Sequence, residues 1–126
     1  MREILFRGKR KDDQSWEYGN YSHYCFSSDM HIGHYINGFE YEVYPESVGQ
    51  YTGLPDCLGN KVFEGDILDC GDRIVKVVWN LNCGTWDCDF IRYTNQPLFH
   101  SNGIAPVEWK YRAKIIGNIF DNPELL

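Results

Sequence analysis

No stretch of this chain repeats apolar residues at the three-and-four spacing that gives a helix one apolar face over several turns. Alanine, the best helix former, occurs only at Ala105 and Ala113. What recurs is the two-residue alternation of a half-buried strand. It is clearest in Thr85–Arg92, where Trp86, Cys88 and Phe90 fall on one face and Asp87 and Asp89 on the other. The preceding Arg73–Trp79 is dominated by β-branched residues, and Asn80–Gly84 between the two is rich in Asn and Gly, which predicts a hairpin.

The same reading places strand, turn and strand within Gln50–Leu68, punctuated by Pro55, Asp56, Gly59 and Asn60. Shorter strands are predicted at Ile4–Arg7, Trp16–Tyr18, Tyr21–Phe26, Met30–Tyr35 and Phe39–Tyr44, with the polar run Gly8–Ser15 as a hairpin tip or loop. Trp109–Ile115 alternates too. As a strand it would turn Trp109, Tyr111, Ala113 and Ile115 inward and Lys110, Arg112 and Lys114 outward. Helix is predicted only at the C-terminus, as one turn capped by Asn122 with Pro123 at its first position. Many short strands separated by turns argue for a mainly β sandwich or barrel.

At 126 residues and 43% hydrophobic, the chain has the size and apolar content of one folded domain. No apolar run approaches the roughly 20 residues of a membrane-spanning helix. The opening Met1–Lys9 turns charged too soon for a secretory signal, so a cytoplasmic location is expected. There Cys25, Cys57, Cys70, Cys83 and Cys88 would be free thiols, mostly buried. The net charge of -6 is uneven: +2 over residues 1–14, -9 over 15–109 and +1 over 110–126. An acidic middle disfavours broad attachment to a nucleic-acid duplex, which depends on cations displacing phosphate counterions.

Few residues point to chemistry. Glu64 and Asp66, two apart, would share a strand face and could act as an acid–base pair or hold a divalent ion, although Asp in such a turn more often accepts local backbone amides. Asp69 and Asp72 extend the acid as a solvated rim. Cys25 with His31 and His34, or Cys70, Cys83 and Cys88, lack the paired spacing of a zinc site, so no metal and no cofactor is expected. Phosphate-loop, dinucleotide and nucleophile-elbow motifs are absent, and no catalytic residue is assigned. The cations Lys110, Arg112 and Lys114, lined up with Arg2, Arg7, Lys9, Arg10 and Lys11 if the first strand lay beside the last, would form a basic stripe. Beside Tyr111 or Trp16 it could hold single-stranded nucleic acid.

Three stretches carry a resemblance: Met1–Arg7; Gln50–Leu54 running through Gly59 and Asn60 to Val62–Ile67; and Ile115–Leu126. Together they resemble the YopX family of phage- and prophage-encoded proteins. Pro55 and Cys57 stand where that pattern leads one to expect lysines. The resemblance implies a bacterial or phage source and a small SH3-like β-barrel in the later part. On that basis residues 1–47 form an N-terminal β segment and 48–126 the barrel core of one β-rich domain. The motif residues Tyr51, Gly53, Glu64, Gly65, Asp66, Gly117, Asn118, Asn122 and Pro123 read as structural, since turn glycines and a docked terminus need no ligand to explain them.

The expectation is therefore a non-enzymatic module that binds a host or phage protein through an aromatic or sheet-edge surface. The alternatives are a nucleic-acid accessory using Lys110, Arg112, Lys114 and Arg7, or a self-assembling structural protein forming homo-oligomers.

Overall fold

In the computed structural model, which describes residues 2–26, 31–95 and 104–126, the chain separates into two units, Met1–Tyr51 and Thr52–Leu126. In the first, β1 (Phe6–Lys9) and β2 (Trp16–Gly19) form an antiparallel hairpin, and Phe6 and Arg7 also pair with the start of β6 (Gly49–Pro55). Of the polar run, Gly8 and Lys9 belong to β1, and the hairpin tip is residues 10–15. The β1 backbone approaches so closely that a Cβ on Gly8 would lie 2.9 Å from Val43. A separate meander contains β3 (Tyr21–Phe26), β4 (His31–Ile36) and β5 (Tyr41–Glu42). The strand predicted from Phe39 is thus shorter, because residues 37–40 form the turn that brings the chain back. Met30 lies outside the described residues.

In the second unit, β6 continues beside β7 (Lys61–Phe63), and a four-stranded antiparallel sheet has the order β10-β9-β8-β11. Its strands are β8 (Asp66–Asp69), β9 (Arg73–Asn80), β10 (Thr85–Tyr93) and β11 (Lys114–Asn118). The β9–β10 hairpin has the predicted pairing, with Cys88 opposite Val77 and Trp86 opposite Trp79. The core gathers Val62, Leu68, Val75, Val77, Ile104, Trp109 and Ala113 around the thiols of Cys70 and Cys88. Each large apolar side chain buried there contributes about 1.5–3 kcal/mol.

The expected barrel and the expected strand at Trp109–Ile115 need correction. The sheets are open, and among the described residues none closes into a barrel. Trp109–Ile115 is not one strand: Trp109–Arg112 is a helical turn, α1, and β11 begins only at Lys114. Pro106 opens a 3-10 turn that runs directly into α1. Trp109 and Ala113, four residues apart, are both fully buried, whereas Tyr111 is 74% exposed. Seven residues fit either period, and the buried pair follows the helical one.

The glycine motifs are backbone devices. Gly53 (φ +86°) bends β6 from within, and Gly65 (φ +89°) turns β7 into β8, both in the left-handed region that disfavours side chains. Gly65 also donates to Val77 O and accepts from the Ile119 N–H. The C-terminal 3-10 turn Pro123–Leu125 exists as expected, but Asn122 does not cap it with its side chain. The Asn122 Oδ1 instead accepts the Asn118 N–H, and Asn118 Oδ1 accepts the N–H groups of Phe120 and Asp121.

Candidate functional site

Alternation along β3 and β4 sorts their side chains onto two faces. Tyr24 lies opposite Gly33 and Ser22 opposite Tyr35, which puts Tyr24, Phe26 and Tyr35 on one face. Gly33 makes room there, since a Cβ on it would come within 2.5 Å of the Tyr35 hydroxyl. Phe39, delivered by the turn after β4, stacks on Tyr24 at 4.1 Å between ring centroids and meets Tyr35 edge-on at 5.2 Å. Phe26 completes the cluster, 6.5 Å from Phe39.

Burial does not account for this cluster. Phe39 is 60% exposed, and Tyr24 and Phe26 are also exposed. Rings that touch one another yet stay open to water form a preassembled apolar surface with little side-chain freedom left to lose on binding. Contiguous exposed apolar patches, when large, mark interaction surfaces.

The residues singled out in the sequence are distributed differently. Lys110 and Arg112 sit on α1, where positions two apart do not face each other, and Lys114 starts β11. The exposed Lys110 ammonium lies 5.0 Å from the Tyr111 ring centroid. Arg112 is occupied, donating to Cys70 O at 3.3 Å and to Asp72 at 3.0 Å. The first strand pairs with β2 and β6 and the last with β8, so the two basic segments do not share a sheet. Arg7 is buried, its guanidinium 4.9 Å from the Trp16 ring centroid, and Arg10 pairs with Asp12, Asp13 and Glu17.

Glu64 belongs to the turn after β7, not to the strand that holds Asp66, and the buried Asp66 accepts the Phe63 N–H at 2.8 Å. Asp72 is no solvated rim, because Arg73 grips it through two bonds of 2.9 Å. That grip, with the charge of Arg112, holds its carboxyl below the ordinary aspartate range. Tyr51 is placed by its N–H, which donates to Leu5 O. Cys25, Cys57 and Cys83 are exposed rather than buried, and only Cys70 and Cys88 are core thiols.

Sequence reasoning missed two groups. Phe39 was assigned to a strand, and the only local signal for its real position is Asn37-Gly38, a turn pair with positive φ at both residues. Asp56 was read only as turn punctuation. It is buried, and its carboxylate accepts the N–H groups of Leu58, Asn60 and Ile115, tying the β6–β7 turn to β11.

These features define a small, mainly β protein of antiparallel sheets with an aromatic surface on its N-terminal meander. Residues 5–126 match the family model described as YopX protein, and the chain belongs to that family. In fold it is similar to the crystal structure of protein EF1440 from Enterococcus faecalis, with a TM-score of 0.53 and 19% identity over 100% of this chain and 99% of that one. No match was found among curated proteins. No helix among the described residues is long and apolar enough to cross a membrane.

Proposed function

We propose that this protein is a non-enzymatic binding module, encoded by a bacteriophage or prophage and acting in the bacterial cytoplasm. Its β3–β4–β5 face engages a host or phage protein that offers a complementary apolar surface. The observation that carries this reading is the Tyr24–Phe39 stack, exposed and bordered by Phe26 and Tyr35. Large aromatic side chains held in place supply most of the energy in protein interfaces, whereas exposed ion pairs supply little. The SH3-like reading of the later part is supported by its chain path, a β8-β9-β10 meander followed by a short helical turn and a last strand returning to β8.

The test is affinity capture from host lysate with the tagged protein and with Phe39→Ser and Tyr24→Ser variants, each with and without nuclease. A nuclease-resistant protein retained by the parent and lost by both folded variants is expected. Recovery that requires nucleic acid, or that is equal for parent and variants, refutes this surface. Mass that rises with concentration and falls on the same substitutions would make the partner a second copy.

A further inference from the structure

The opposite face of the same two strands carries chemistry of another kind. In the β3–β4 register His23 lies directly opposite His34, and their ring centroids are 6.1 Å apart. We propose that this cross-strand pair is a two-histidine site for a divalent transition-metal ion of the zinc or nickel class. Cross-strand neighbours place their Cβ atoms about 4.5–5.5 Å apart, within reach of a shared ion. Two imidazoles on one metal, each nitrogen about 2.0–2.1 Å from it, have centroids roughly 5 Å apart, so a modest side-chain rotation closes the site.

Tyr21 prepares one of the ligands. Its hydroxyl oxygen is 2.7 Å from Nδ1 of His34, and the two rings are nearly parallel, 8° apart in plane with centroids 6.1 Å apart. In the tautomer whose Nδ1–H donates to the phenol oxygen, Nε2 keeps its lone pair for a metal. This is the outer-shell arrangement that orients histidine ligands elsewhere. Access is open, since His23 is exposed and His34 half-buried. Among the described residues no third His, Cys, Asp or Glu joins the pair. The site differs from the Cys25, His31 and His34 grouping weighed from the sequence. In the register it is position 23, not 31, that faces His34, and the His31 side chain lies outside the described residues. A bound ion clips β3 to β4 whether or not the aromatic face binds a partner.

The experiment adds Ni2+ or Zn2+ to the full chain under reducing conditions and follows the histidine ring signals by NMR alongside calorimetry. The expected result is one equivalent bound, with the His23 and His34 signals perturbed together. His23→Ala and His34→Ala should each weaken binding about tenfold or more, and Tyr21→Phe by a factor of the same order. Unperturbed His23 and His34 signals through the first equivalent would overturn the proposal. So would wild-type affinity in the folded double alanine variant, which would place the metal on other side chains. The NMR readout on the parent protein stands even if a variant fails to fold.

Discussion

A Cβ added to Gly117 would lie 2.5 Å from Oδ1 of Asn122, the atom that accepts the Asn118 N–H. The glycine is required by that side chain rather than by its own backbone angles. Gly117→Ala is expected to destabilise the fold by about 1–3 kcal/mol in urea unfolding. Asn122→Ala removes both the obstacle and the hydrogen bond. The double variant should therefore lose measurably less than the two single losses combined, and strict additivity would disprove the steric account.

Asp56 should matter more than its turn position suggests. Its two oxygens serve three backbone N–H groups at 2.8–3.2 Å, one of them on β11. Asp56→Ala leaves those donors without partners and is expected to cost about 2–4 kcal/mol, and Asp56→Asn less because one acceptor oxygen remains. A loss from Asp56→Ala below about 1 kcal/mol would mean that water replaces the carboxylate freely.

Asp72 predicts a particular acid sensitivity. Its carboxyl is held below the ordinary range first by the Arg73 hydrogen bonds, aided by the charges of Arg73 and Arg112. A carboxyl with a depressed folded pKa stabilises the native state fully above its unfolded value, near pH 4, and loses that contribution as pH falls through the lower folded value. Asp72→Asn should therefore lower stability at neutral pH and flatten the decline below about pH 4. Parallel stability curves for variant and parent, measured by urea unfolding across that range, would rule the coupling out.

The five cysteines should divide by reactivity. Burial pushes the Cys70 thiol up to about 11 and the Cys88 thiol up to about 12, while Cys25, Cys57 and Cys83 are exposed. At neutral pH a thiol reagent is expected to modify three sites in the native protein and the remaining two only after unfolding, as read by mass. Native labelling of Cys70 or Cys88 at the rate of Cys83 would contradict the core described above.

By itself the sequence determined the class and much of the local structure. Alternation located β10, the β-branched run located β9, and Asn and Gly located the turn between them, because a strand's two-residue period and a turn's dihedral needs are written in neighbouring residues. The terminal turn at Pro123 was legible in the same way, but the role of Asn122 was not: its side chain bonds back to Asn118 beside Gly117 instead of capping that turn. Only the tertiary structure decided that Trp109 heads a helical turn. A seven-residue pattern supports two periods, and burial against the β8–β10 core selects one. It also decided which surface stands out. Strand order puts the first and last strands in different sheets, Asp72 holds Arg112 and Trp16 lies beside Arg7, while Tyr24 met Phe39, and His23 met His34, through the β3–β4 register and the turn that follows. Such contacts depend on where loops close the chain on itself, and loop closure joins residues whose mutual distance no local periodicity encodes.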